Sequence, residues 1–182
     1  MSKYESMIPE DISSNSIEYH GANIKVVSDS IYSGREGYFP PYNAFRTDTW
    51  AVTLPSPPPH YIGIESDKVL ICDRYDFVVS WDLVAMTIKD FVIQCSMDGE
   101  SWRDVYAGTI PPTSTYTQEC EFDSILCKHI RLTALSTYDT RGYKWVQVQK
   151  CKIYGTLANV GMLYTNPDAY GIRRVLWVNM KI

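Results

Sequence analysis

The 182-residue chain has few of the features that mark a membrane, secreted or nucleic-acid-binding protein. No apolar run approaches the ~18 residues that a membrane-spanning helix needs. The stretch Met1-Ser2-Lys3-Tyr4-Glu5 and the residues after it lack the apolar core of a signal peptide. No Asn-x-Ser/Thr sequon occurs either, and together these absences predict a chain made and folded in the cytoplasm. No run of five like charges is present, and the formal net charge is −4. Both facts weigh against the basic face that a nucleic-acid backbone requires.

Cysteine chemistry is also thin. The five cysteines (Cys72, Cys95, Cys120, Cys127, Cys151) are odd in number and contain no Cys-x-x-Cys pair. Cys95 and Cys151 fall where apolar residues alternate along a strand, which reads as buried thiols. Zinc held by Cys120, Cys127 and His129 is the sharper alternative, but that spacing matches no usual ligand pattern. The three histidines, His20, His60 and His129, are far apart in sequence. There is no Gly-x-Ser-x-Gly, no phosphate loop and no His-Glu-x-x-His. The chain is therefore read as a non-enzyme with no cofactor and no metal, although two of its 21 acidic residues could still meet in space.

Hydrophobic residues make up 45% of the chain, and fourteen Tyr and five Trp supply large rings, so a core can form without staples. The clearest local signal is Lys89 to Trp102. Phe91, Ile93 and Cys95 alternate with Val92, Gln94 and Ser96, the period of a half-buried strand. Asp98-Gly99 supplies the positive φ of a tight turn, and Trp102 opens the return. Phe91, Ile93, Cys95 and Trp102 are expected in the core.

Other strands are predicted at Ile24–Val27 and Tyr61–Ile64. Val69 to Leu83 reads as two strands or one bent strand, with a break at Asp73-Arg74. Thr115–Phe122 reads as an edge-like strand, and further strands are predicted at His129–Leu135, Trp145–Tyr154 and Arg173–Ile182. In the strand from Trp145, Val146 and Val148 share one parity while Cys151 and Ile153 share the other. One extra residue near Gln149-Lys150, a β-bulge, would set all four on the core face. Residues 1–18 are polar and read as an arm. Tyr32 to Tyr42 has loop chemistry with four rings, which either fold over a core edge or form a binding surface. Pro55 to Pro59 make a stiff extended loop before His60. Many short strands separated by turns, with no repeat and no long amphipathic helix, predict an all-β sandwich.

The ordered set Ala44-Phe45, Trp50, Tyr61-Ile-Gly-Ile64, Asp90-Phe-Val-Ile-Gln94, Ser96 to Trp102, His129-Ile-Arg-Leu132 and Val148 to Gly155 resembles the discoidin, or coagulation factor 5/8 type C, domain. Relatives of that domain include the family-32 carbohydrate-binding modules. The resemblance covers roughly residues 20–155. It implies a galactose-binding-like jelly-roll β-sandwich over 19–156, with ligand loops gathered at one end and a C-terminal extension over 157–182. It also implies a binding or adhesion role rather than catalysis. Two departures stand out. Arg46 and Lys150 occupy positions where the family often carries acids that help hold calcium, so no calcium is expected there. These two cations are expected to be held by carbonyls, or by carboxylates such as Asp48. The family's terminal disulfide is absent, since no cysteine precedes Cys72.

For sugar binding, ring faces stack on a pyranose while polar side chains bond its hydroxyls. The loop candidates are Tyr38, Tyr42, His60, Tyr138, Arg141 and Tyr143; Trp50 is read as core. Expected partners are a cell-surface glycan or a virion or surface protein, with no nucleic acid, no membrane insertion, and self-association or a place in a larger assembly. Tyr170 to Val178 loosely resembles a closing strand of some bacterial and bacteriophage surface proteins. Display on a virion or cell surface is therefore expected, glycan-binding or, alternatively, as a capsid- or tail-decoration subunit without sugar binding.

Overall fold

The computed structural model describes residues 4–30, 32–34, 37–47, 51–52, 58–79, 87–112, 116–138 and 146–158. The predicted strand Arg173–Ile182 and Trp50 lie outside them. The described residues form eleven strands: β1 Glu5–Ser6, β2 Ser16–Tyr19, β3 Ala22–Ser28, β4 Tyr32–Gly34, β5 Gly37–Phe39, β6 Ala51–Val52, β7 His60–Val79, β8 Asp90–Ser96, β9 Arg103–Thr109, β10 Tyr116–Ala134 and β11 Gln147–Leu157. All pairings are antiparallel.

The sandwich is made by two long strands that turn a corner together. Over its first half β7 lies between β3 and β10, with Ile64 opposite both Val26 and Ile130. Over its second half it lies between β10 and β11, with Tyr75 opposite both Cys120 and Ile153. Between the halves the β7–β10 register skips from Glu65–His129 to Leu70–Cys127. The Asp67 carboxylate holds that corner by accepting from the backbone N–H of Asn23 (2.9 Å) and its side-chain amide (2.8 Å). One layer therefore runs β2-β3-β7-β10-β8-β9, and the other β1-β11-β7-β10. The chain is an all-β sandwich, as expected.

Alternation explains the core. Ile62, Ile64, Ile93, Ile130 and Leu132 of the first layer face Leu70, Cys72, Tyr75, Phe77 and Ile153 of the second, all buried. Phe77 meets Phe91 edge to face across the layers at 5.1 Å, a geometry that adds to the area they bury. Tyr75 is wholly buried, and its hydroxyl donates to the Ile62 carbonyl at 3.4 Å.

Several expectations hold in detail. The β11 register slips by one residue between Gln149 and Lys152, Lys150 takes φ 52°, and Val146, Val148, Cys151 and Ile153 are all buried. That is the predicted bulge. Among the described residues, 116–127 of β10 pair on one side alone, with β7, which matches the edge-like pattern. The break at Asp73 is a second bulge: β11 pairs with Cys72 and Arg74 by consecutive residues, leaving Asp73 extra. It switches the inward parity from Leu70 and Cys72 to Tyr75, Phe77 and Val79.

Others are corrected. Trp102 is not core. It lies half-buried outside the first layer, its indole N–H donating to the Gly99 carbonyl at 3.0 Å to close the hairpin. The strand expected at 61–64 and the described part of that at 69–83 fall in one element, β7, and those at 115–122 and 129–135 fall likewise in β10, because the same two strands pair again on the far side of the corner. Residues 5–12 are no free arm. β1 pairs with β11, and Met7, Ile8 and Ile12 are buried, three apolar side chains that a mostly polar composition conceals. The aromatic loop after Tyr32 holds a short hairpin, β4–β5, followed by a 3-10 turn over Pro41–Phe45.

Candidate functional site

Because β7 and β10 fold back at the corner, both ends of each strand return to one end of the sandwich. His60 pairs with Ala134 there, and Val79 with Tyr116. A small, partly open cleft lies at this end. Its walls are apolar, formed by Phe39, Pro41, Ile62, Ile88, Leu132 and Val146 among others, and its polar lining is Ser28, Ser30, His60 and Tyr61.

His60 is fixed in this wall. It is 2% exposed, and its Nδ1 lies 2.6 Å from Asp29 Oδ2. The other Asp29 oxygen accepts the Tyr61 N–H at 2.7 Å, so one carboxylate sets both the ring and the strand that carries it. Held this way, His60 forms part of the cleft wall.

Tyr42 sits in the Pro41–Phe45 turn, partly packed on the core, with its N–H donated to Asn15 Oδ1 at 3.0 Å. Tyr138 stands on the other side of the same end. Its hydroxyl donates to the Ile110 carbonyl at 2.5 Å, and the Lys89 ammonium lies 6.0 Å from its ring centroid. The Ile88–Thr137 bridge and the Asp90 carboxylate brace this side. Asp90 accepts from Ser136 at 2.6 Å and from Thr109 at 2.8 Å, and these two hydroxyls hold it below its ordinary carboxylate range. Tyr42, His60 and Tyr138 thus come to one end of the fold. Tyr38 is described by its backbone in β5, and Arg141 and Tyr143 lie outside the described residues.

The five cysteines are all buried in the core, Cys127 and Cys72 with their sulfurs 3.9 Å apart. His129 faces outward, edge-on to Trp102 at 6.2 Å, so it does not share a site with Cys127. Among the described residues no group of three or more His, Cys, Asp or Glu could hold a metal ion. Lys150 is exposed at the bulge; Asp48, named as a neighbour for Arg46 and Lys150, is outside the described residues. Nearby, the Asp11 carboxylate takes both the N–H and the hydroxyl of Thr47 at 2.9 Å.

Sequence reasoning missed a second group, on the outer face of the first layer. Arg131 lies with its guanidinium 3.6 Å from the Trp102 ring centroid and 4.6 Å from that of Tyr61. Its Nε donates to Gln94 Oε1 at 2.9 Å, an oxygen that also accepts from Thr133 at 2.9 Å, while Gln94 Nε2 donates to Asp104 at 2.8 Å. The sign in sequence was the outward parity of Arg131 and Thr133 on β10 against Gln94 on β8. Only the pairing register brings them into line.

Comparison with known proteins bears on the fold. The family model described as "F5/8 type C domain" matches residues 23–150. No curated protein matches the chain in sequence. Among solved structures, the chain is similar to a CBM32 module of Clostridium perfringens in complex with GalNAc-β-1,3-galactose. Identity is 17%, covering 72% of this chain and 94% of that one, with a TM-score of 0.60. It is similar to the family 32 CBM of C. perfringens NanJ in complex with galactose (14%, 72% and 93%, TM-score 0.58). It is also similar to chitosan-binding module 1 of a Paenibacillus chitosanase/glucanase (17%, 79% and 97%, TM-score 0.57). These likenesses are likenesses of fold.

Proposed function

The chain belongs to the F5/8 type C domain family, and from that premise we propose that it is a non-enzymatic glycan-binding module whose site is the loop-bearing end of the sandwich. The observation that supports this is a cleft at that end lined by His60, with Pro41 of the turn that carries Tyr42 and Ile88, the bridge partner of Thr137 next to Tyr138, in its wall. Similar structures were solved with galactose or GalNAc-β-1,3-galactose bound, which supports a hexose as ligand. Rings there offer flat faces to the C–H side of a pyranose, and a histidine braced by a carboxylate offers a fixed hydroxyl partner. Arg141 and Tyr143, which follow Tyr138 in the chain, join the proposed site.

The module is further proposed to be displayed on a virion or cell surface after synthesis in the cytoplasm. A glycan array and galactoside titration with the wild type, Arg141→Ala and Tyr138→Ala test the reading. Binding to at least one glycan is expected, with a loss of about tenfold in either variant for each strong polar contact removed. Absence of binding to every glycan would defeat it and favour a decoration role in which the sandwich docks on other protein subunits.

A further inference from the structure

The outer face of the first layer carries a cation that the fold leaves uncompensated. Among the described residues two arginines lie over tyrosine rings, and they differ in one respect. Arg74, 5.0 Å from the Tyr154 centroid on the second layer, is neutralised by Asp76 at 2.6 Å, Glu119 at 3.2 Å and Glu121 at 3.3 Å. Arg131 lies against Trp102 and Tyr61, and among the described residues no carboxylate comes within ion-pair range of it. Its Nε is taken by Gln94; the two terminal nitrogens, with four N–H donors in a fork suited to a carboxylate, have no protein partner among the described residues. Partial burial already works against its charge.

The register extends this cation into a row. Arg131 on β10 stands opposite Gln94 on β8, which stands opposite Asp104 on edge strand β9. Three adjacent strands spaced by about 4.8 Å set a fork of donors and an exposed carboxylate roughly 10 Å apart, with an amide between them. Asp29 and Asp104 both lie close enough to act on the Arg131 charge without pairing with it. A dense polyanion would be repelled by these two acids. A ligand with one carboxylate and several hydroxyls meets both ends of the row, the carboxylate on Arg131 and the hydroxyls donating to Asp104, while Gln94, its oxygen already filled by Arg131 and Thr133, holds the two ends in register.

We propose that this row is a second binding site, on the outer face and adjoining the loop end at Tyr61, for a carboxylated sugar such as a hexuronate at the end or along the length of a glycan. It shares with the proposed function the class of ligand.

The test uses the whole chain and digalacturonate, its dimethyl ester and galactose, titrated at fixed ionic strength. The Arg131 Nε–H and Trp102 indole N–H signals are followed by NMR. Digalacturonate is expected to shift both signals, and the ester, which keeps the hydroxyls and loses the charge, to bind about tenfold or more weakly. Arg131→Lys, which keeps the charge but not the fork, is expected to weaken acid binding comparably with the fold retained by circular dichroism. Equal binding of acid and ester by the wild type would overturn the site even if the variant failed to fold. An equal response to acetate at matched carboxylate concentration would overturn the sugar assignment. Failure of galactose to bind at the loop end would remove the proposed function while leaving these signals, and this site, untouched.

Discussion

Gly63 lies where β7 passes close beside its partner on the outer face. A Cβ built there would sit 2.1 Å from the Ile130 carbonyl oxygen and 2.6 Å from the Arg131 Cα, both backbone atoms of a central strand that cannot swing aside. Gly63→Ala is expected to destabilise the protein by about 1–3 kcal/mol or more, as overpacking does, read from a shift in urea midpoint with little change in slope. Lys150 makes the opposite case. At φ 52° and exposed, it holds a left-handed conformation that costs an L-residue roughly 1–2 kcal/mol and glycine far less. Lys150→Gly is accordingly expected to be neutral or to stabilise, by up to about 1 kcal/mol once the flexibility of glycine in the unfolded chain is set against the gain. Lys150 was marked in the sequence by the parity change at Gln149-Lys150, and Gly63 was not. Gly63 reads in sequence as an ordinary strand glycine, and only the neighbouring strand shows why nothing larger fits. Trp102 misled in the same way, since its size argued for the core. The hairpin turn places it outside, where its N–H finds Gly99 and its face finds Arg131.

At the scale of elements, parity was the legible quantity and continuity was not. The phase change between Val148 and Cys151 predicted a bulge because a buried face tolerates no one-residue slip, and the register confirms it. Deleting Lys150 removes the extra residue and would turn either Val146 and Val148 or Cys151 and Ile153 away from the core. The expected outcome is loss of cooperative unfolding, whereas the glycine substitution at the same position keeps it. What parity could not show was that four apparent strands were two. The corner between Ser66 and Val69 carries polar residues that resemble a loop, and the Asp67–Asn23 contact that holds it joins residues 44 apart. The N-terminal strand was missed for a related reason. A two-residue pairing with β11 leaves no periodicity, and Met7, Ile8 and Ile12 are too few to outweigh the polar residues around them. The candidate site was legible as residue types in loops; the braces that fix it, Asp29 for His60 and Ile110 for Tyr138, arise only from the fold.

Across the whole molecule, the contacts that close the sandwich are largely carboxylates accepting hydrogen bonds, and this sets how stability follows pH. Asp67 is held below its ordinary range by the Asn23 side chain and backbone at the corner, and Asp90 by the Ser136 and Thr109 hydroxyls at the site end. Asp98 is held far below it by the N–H groups of Ser101 and Glu100 in the hairpin turn. A group whose folded pKa is depressed stabilises fully above its unfolded value, about 3.9 for Asp, and that contribution fades as pH falls through the folded values. Lys152 is shifted the other way, raised by the hydrogen bond to Glu10 at 2.5 Å that ties the N-terminal segment to β11. Its contribution is complete below about pH 10.4 and fades as pH rises through the folded value. The thermal midpoint at constant ionic strength is therefore expected to be flat from about pH 5 to 9, to fall below about pH 4, and to fall again in strong alkali. Asp98→Asn should lower the plateau and make the acid fall shallower, because the group that titrates there is gone. An acid fall centred above about pH 6, or one unchanged in that variant, would contradict this assignment. The buried thiols belong to the same experiment. Burial pushes Cys120 and Cys151 up to about 12, and all five thiols are sealed in the core, so a thiol reagent at pH 8 should meet them only as fast as the molecule opens. Their rate of modification at that pH then reports the opening of the whole sandwich rather than of any one strand.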